Sequence, residues 1–337
     1  MFFSIIIPLF NRPQELKELL NSLTEQQYKD FEVIIIEDGS LIPAKSIVDK
    51  FETILDIKYF VKENQGQGFA RNLGFQMARG DFFIVFDSDI IVPKNYLSLV
   101  LEGINEDGLD AFGGPDAAHE TFTPIQKAIS YSMTSPFTTG GIRGNKKHVG
   151  QFHPRSFNMG ISRKVWEETN GFKLSRRSED IEFSIRMIQH GFKVGLISKA
   201  FVYHKRRTSF KQFYKQTYNF GKGRIDIYCL YPSELKLVHA LPSLFVVGLM
   251  VLIMLNVINF LTMYEMIFIN QITRIGNSFI LLYSVLLWLH ALWSSKSLRV
   301  AFLSLIAAYT QLFAYGTGFI HQYATKFLLN KKNTQLN

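Results

Sequence analysis

The chain has 337 residues, with 37 Lys and Arg against 28 Asp and Glu and a single cysteine. That length can bury one large core and still carry an appendage, while a lone Cys229 without metal-ligand spacing around it excludes an internal disulfide and a cysteine-built metal cluster. The mean hydropathy of +0.08 averages two unlike parts, because charge disappears from long stretches beyond Lys236.

The opening MFFSIIIPLFNRP has a short apolar run with no basic leader, so it reads as a first strand and not as a signal peptide. Apolar runs and helical patterns then alternate: FSIIIPLF, QELKELLNSLTEQ, FEVIIIEDGS, AKSIVDKFETIL, IKYFVKE, GFARNLGFQMA and DFFIVFDSD. Continuous hydrophobicity within each short run marks strands covered on both faces, as in parallel sheets. The alternation predicts a Rossmann-like α/β fold, a mostly parallel sheet with helices on both faces, with ligands bound beyond the carboxyl ends of the strands. PLFNR, EDGS and DSD all stand at such ends.

Glu37 and Asp38 precede Gly39 and Ser40 in a tight turn, where an acidic side chain can accept from a base or ribose or cap a helix over residues 44–55. Gly66, Gly68, Arg71 and Asn72 open the next helix, and glycines at a helix start favour a diphosphate that Arg71 could pair with. A third fingerprint glycine and a Walker lysine are both missing. Asp87 and Asp89 close the fourth strand. A D-x-D arises by chance roughly once in a chain of this size, but two hard oxygen ligands at a strand end suit Mg²⁺ or Mn²⁺ with phosphates completing the shell.

Residues 103–160 are rich in Gly, Thr and Ser and read as loops with short helices. SRKVWEETNGF and SEDIEFSIRMIQHGF follow as helices stopped by Gly171 and Gly191. Glu179 and Asp180 fall in a first helical turn, an ordinary capping position because of the helix dipole, and Glu182 further along reads as solvated. KVGLISKAFVYH reads as one strand closed by His204, a candidate metal ligand or phosphate contact. From Ser198 to Ile225 there are eight basic residues and no acidic one, a stretch suited to phosphates or an anionic leaflet; nucleic acid is disfavoured because a membrane segment follows directly.

Three uncharged stretches follow, between Lys236 and Glu265, Arg274 and Lys296, and Arg299 and Lys326, each long enough for a membrane-spanning helix. They predict helices near 238–261, 275–295 and 300–322. The positive-inside rule places the first half and the Lys296–Arg299 loop in the cytoplasm. Three crossings would export Lys326, Lys331 and Lys332 against that rule, so the third segment has two readings, spanning or re-entrant.

Taken in order, SIIIPLFNR, EVIIIEDGS, NQGQGFARNLG, FDSD, FNMGISRKVWEETNGF with SEDIEFSIRMIQHGF, and VYHKRRTSF resemble the family-2 glycosyltransferases of the GT-A fold, over residues 1–225. The resemblance implies a catalytic domain at 1–225, and the charge pattern beyond it gives a linker at 226–237, a membrane domain of two or three helices at 238–325 and a polar tail at 326–337. It implies transfer of a sugar from a nucleotide-sugar donor, UDP-linked, with inversion and with Mg²⁺ or Mn²⁺. By it, Pro8 and Phe10 border the base, Glu37 and Asp38 contact uracil or ribose, and Arg71 holds the nucleotide. Asp87 touches ribose and metal, Asp89 binds the metal with His204 completing the shell, and Asp180 is the catalytic base beside Glu179. The usual paired Asp before Gly-Ser is Glu-Asp here, which leaves open which of the two meets the base. No Gln-x-x-Arg-Trp follows, so transfer of one or few sugars is expected, not polymer extrusion. A membrane-tethered enzyme should meet a lipid-linked or glycan acceptor in surface-polysaccharide or glycoconjugate synthesis at the bacterial inner membrane, with Arg143, Arg155, Arg206 and Arg207 as candidates for its phosphates. The competing readings are a sugar-phosphate nucleotidyltransferase and a non-catalytic membrane scaffold that keeps the fold.

Overall fold

The computed structural model describes residues 1–139, 152–263 and 266–329. Arg143, Glu265, Lys331 and Lys332 lie outside the described residues. Two compact units emerge, one from residues 1–120 and 152–205, the other from 121–139 and 206–329 without 264 and 265.

In the first unit β1 (Phe3–Leu9), α1 (Pro13–Thr24), β2 (Phe31–Asp38), α2 (Lys45–Val48), β3 (Ile57–Lys62), α3 (Gln67–Met77) and β4 (Phe82–Phe86) follow the alternation read from the sequence. All of β2 and β4 and nearly all of β1 are buried, as expected of inner parallel strands packed on both faces. Then come β5 (Ile90–Ile91), α4 (Tyr96–Asp107), β6 (Ala111–Gly113) and β7 (Asp116–Ala117). In the second unit stand α5 (Pro124–Thr134) and α6 (Pro136–Thr139). The first unit resumes with β8 (Asn158–Ser162), α7 (Arg163–Thr169), α8 (Glu179–Gln189), β9 (Val194–Leu196) and β10 (Val202–His204).

A seven-stranded sheet runs β3-β2-β1-β4-β8-β6-β9, with β8 antiparallel to both neighbours and the other pairs parallel. A small sheet, β5-β10-β7, stands apart from it. One apolar cluster on the main sheet gathers Leu16, Leu19, Leu20 and Val100, and another gathers Phe75, Phe83, Phe172 and Phe183, so helices cover both faces.

Three expectations change. Residues 103–160 hold the strands β6, β7 and the start of β8; each is so short that tertiary pairing, not propensity, defines it. KVGLISKAFVYH is two strands in different sheets, separated by a turn at 197–200. AKSIVDKFETIL stays α-helical only over Lys45–Val48.

The second unit continues with α9 (Phe210–Leu230), α10 (Leu241–Leu261), α11 (Ile267–Ser295) and α12 (Leu298–Tyr323). The spans Leu241–Leu261, Ile267–Ser295 and Leu298–Leu328 are long and apolar enough to cross a membrane, with mean hydropathies of 2.6, 1.6 and 1.4. The third is the central one, 39% buried against 11% for the others. Its inward face is Ala301, Ser304, Ala307, Ala308, Ala314, Gly316 and Gly318, small residues that let helix backbones approach closely where lipid supplies no hydrophobic drive. A Cβ on Gly318 would stand 2.1 Å from the Tyr218 carbonyl oxygen of α9, and one on Gly221 the same distance from that of Tyr315. Gly318→Leu should therefore wedge α9 from α12 at a cost of about 1–3 kcal/mol. Thermal unfolding in detergent should show a lower midpoint, and an unchanged one would mean the crossing relaxes freely.

Candidate active site

The site grows from the carboxyl ends of β1, β2 and β4. After β1 the chain turns through Asn11, whose φ of +54° suits asparagine. Asn11 Oδ1 accepts from the N–H groups of Leu41 and Ile42, and its own N–H donates to Ser40 Oγ at 2.9 Å, locking the β1 and β2 turns together. Phe10 is left 47% exposed beside partly buried Pro8, as residues bordering an open ligand cleft would be.

Glu37 and Asp38 are both buried, and the structure separates them by what they do. Asp38 accepts from Lys62 Nζ at 2.8 Å and from the N–H groups of Gln65 and Gly66 at 3.0 and 2.8 Å, so it anchors the turn into α3. Glu37 Oε2 accepts from the Ala44 N–H at 3.2 Å, while Glu37 Oε1 has no hydrogen-bond partner among the described residues.

The glycines at the start of α3 have a packing role that the sequence did not reveal. The Gly68 N–H donates to the Ser175 carbonyl at 2.8 Å, and a Cβ on Gly68 would lie 2.2 Å from the Leu174 carbonyl oxygen. They admit the 174–175 backbone. Asn72 continues this join, exchanging both amide hydrogen bonds with the Phe172 backbone at 2.8 Å.

Arg71 is fully buried and spans the site: one guanidinium nitrogen donates to Asp87 Oδ1 at 2.7 Å and another to Glu179 Oε1 at 3.0 Å. Burial works against its charge, but Asp87 and Glu179 outweigh that and raise its pKa. Burial pushes the Glu179 carboxyl up, the adjacent Asp180 adds to the rise, and Arg71 opposes it. Asp180, in the first turn of α8, accepts from the Ile181 N–H and has Oδ2 3.7 Å from Arg155. Ser178, just before, sits in the left-handed region with φ +59°. Glu182 is not solvated: it is 2% exposed and forks onto Arg186, whose guanidinium also donates to the Thr169 and Gly171 carbonyls and so fixes α8 on the loop after α7.

His204 reaches the β4 end through the small sheet. It pairs with Ile90 across β5 and β10, and the Lys205 N–H donates to the Asp89 carbonyl at 2.9 Å. This register puts His204 Nε2 3.2 Å from Asp89 Oδ1, with Nδ1 3.9 Å from Asp116. One ligand atom each from Asp87, Asp89 and His204 lie within 4.8 Å of one another. Two carboxylates and an imidazole fit a divalent cation, and the nitrogen ligand suits Mn²⁺ better than Mg²⁺, which prefers oxygen. Sequence reasoning missed Arg12, whose guanidinium pairs with Asp89, and Asp116. Of the phosphate candidates, Arg155 stands beside Asp180, whereas Arg206 and Arg207 open the second unit, Arg206 being 6% exposed.

Residues 4–168 match the family described as Glycosyl transferase family 2. Those residues form a family-2 glycosyltransferase domain. Among relatives of the chain, a "Glycosyltransferase AglE" from Haloferax volcanii is 26% identical over 73% of this chain and 81% of its own. A dolichyl N-acetyl-alpha-D-glucosaminyl phosphate 3-beta-D-2,3-diacetamido-2,3-dideoxy-beta-D-glucuronosyltransferase from Methanococcus voltae is 25% identical over 75% of this chain and 84% of its own. Among solved structures, a mannosyltransferase from Pyrobaculum calidifontis, in complex with GDP-Man and Mn²⁺, superposes with a TM-score of 0.55 at 14% identity, covering 98% of this chain and 88% of that one. The chain therefore has the GT-A fold followed by apolar C-terminal helices.

Proposed function

We propose that the enzyme moves one sugar, or few, from a UDP-linked donor to a hydroxyl of a lipid-linked or glycan acceptor with inversion, as a multi-pass protein whose catalytic unit lies on the cytoplasmic face of the bacterial inner membrane. The observation that carries this reading is Arg71, which binds Asp87 on the proposed donor side and Glu179 on the proposed base side and so joins both carboxylates through one guanidinium. Glu37, with one buried oxygen open to a donor, is the residue of its pair suited to the base; Asp38 is occupied in holding the turn.

A divalent cation held by Asp87, Asp89 and His204 would neutralise the leaving diphosphate. Asp180 then takes the proton of the acceptor hydroxyl as it attacks the anomeric carbon from the opposite face. Arg155, beside Asp180, is placed to orient that carboxylate or meet an acceptor phosphate. The apolar helices α10, α11 and α12 hold the enzyme where lipid-linked acceptors are found, and the relative named for a dolichyl-linked substrate supports that acceptor class.

The full chain in nanodiscs, given a panel of UDP- and GDP-sugars with polyprenyl-phosphate-linked saccharides, should release UDP only with Mn²⁺ or Mg²⁺ and stop in EDTA. The product should carry one added sugar with inverted anomeric configuration by NMR. Retention, a polymer ladder or release of GDP alone would each overturn the corresponding part of the reading.

A further inference from the structure

We infer that Arg12 is the resident counter-ion of Asp89, and that a divalent cation must take this carboxylate from it before the site is loaded. The inference rests on the metal site proposed at Asp87, Asp89 and His204.

Each aspartate of that site already has an arginine. Arg71 pairs with Asp87 and Arg12 pairs with Asp89. The two arginines differ in how they are held. Arg71 is 0% exposed and also donates to Glu179, so its departure would strand a buried acid, Glu179, besides freeing the part-exposed Asp87. The Arg12 side chain is 31% exposed, stands at the turn between β1 and α1, and makes its ion pair with Asp89. A part-exposed arginine can swing into water at little cost, because its guanidinium stays solvated.

Local charge decides the rest. With both arginines in place each aspartate of the site faces a cation, and an arriving divalent cation meets less negative charge than it would without Arg12, even with Glu179 sharing Arg71 and Asp116 beside His204. Releasing Arg12 makes the pocket more negative, with His204 Nε2 already 3.2 Å from Asp89. Once released, a guanidinium at the end of β1 is free to pair with the anionic donor.

The test titrates Mn²⁺ alone into the full chain in nanodiscs, reading free Mn²⁺ by EPR. Arg12→Gln should bind Mn²⁺ about tenfold tighter than the native chain, the size expected from removing one unit charge a few ångströms away at a part-exposed site. Its metal-free melting temperature should fall while the Mn²⁺-saturated value stays close to native. Arg12→Lys, which keeps the charge, should bind Mn²⁺ as the native chain does, and it carries the test if the glutamine variant fails to fold: tighter binding by the lysine variant would overturn the inference. Equal or weaker binding by Arg12→Gln would overturn it too. Asp89→Asn separates the two readings. Loss of Mn²⁺ binding there, with Arg12→Gln unchanged, removes only the role of Arg12; unchanged Mn²⁺ binding in Asp89→Asn removes the metal site itself.

Discussion

Asp180→Asn is expected to cut sugar transfer about a thousandfold while nucleotide-sugar affinity stays within about twofold of native. A positioned general base contributes on the order of 10²–10⁴, and the substitution removes basicity with almost no change of shape. The acceptance from the Ile181 N–H survives in the amide oxygen, and the separation from Arg155 need not change. Donor affinity should persist because the residues proposed to bind the donor, Glu37, Asp87, Asp89 and His204, belong to other elements. Initial rates with donor and acceptor, beside calorimetry with UDP and Mn²⁺, separate the two quantities. Turnover within tenfold of native would take Asp180 out of the base role, whereas a matching loss of UDP affinity would show that it serves the donor.

The main sheet was legible because its inner strands are continuous apolar runs. Phe31–Asp38 is buried at every position, a pattern that few helices or half-exposed strands share. The strands β6, β7, β9 and β10 were not legible in the same way. Two or three residues cannot show a period, and what makes them strands is pairing across the chain, such as His204 with Ile90 and Ala111 with Val194. The three helices of the apolar tail were readable from the gaps in Lys, Arg, Asp and Glu, but the start of the second was not: it was expected at 275, and α11 begins at Ile267 and runs through Arg274.

In the site, the acidic residues stood out in sequence because charge at the end of an apolar strand costs free energy unless something matches it. Their partners were harder to see. Arg12 follows the first strand at the first site-lining turn, and counting cations against the carboxylates gathered at the strand ends would have singled it out. Glu182 and Arg186 are four apart on one helix, a spacing that announces an ion pair, yet their burial depends on the Thr169 and Gly171 carbonyls at the end of α7 and just beyond it. The roles of Gly66 and Gly68 could not be read locally at all, because the backbone that fills the space beside them comes from residues 174–175.

The second large effect is expected at Arg71. Arg71→Met should destabilise the catalytic unit by about 3–5 kcal/mol, the range for breaking one side of a buried ion pair, and should abolish transfer. Methionine fills much of the same volume, so the loss is electrostatic: Glu179 is left 3% exposed with its guanidinium partner gone, and Asp87 loses the donor that fixes Oδ1. Because burial and Asp180 already raise the Glu179 carboxyl, removing Arg71 favours its protonated form further. Part of the lost stability should therefore return as pH falls, when a neutral Glu179 no longer needs a cation. The double variant Arg71→Met with Glu179→Gln should likewise regain most of the stability, since the stranded charge is gone, but not the activity, since Asp87 is still unsupported. Chemical denaturation of the isolated single and double variants measures the coupling directly. Additive losses would show that Arg71 and Glu179 stabilise the fold independently, and recovered transfer in the double variant would show that Arg71 serves only the fold and not the arrangement of the carboxylates.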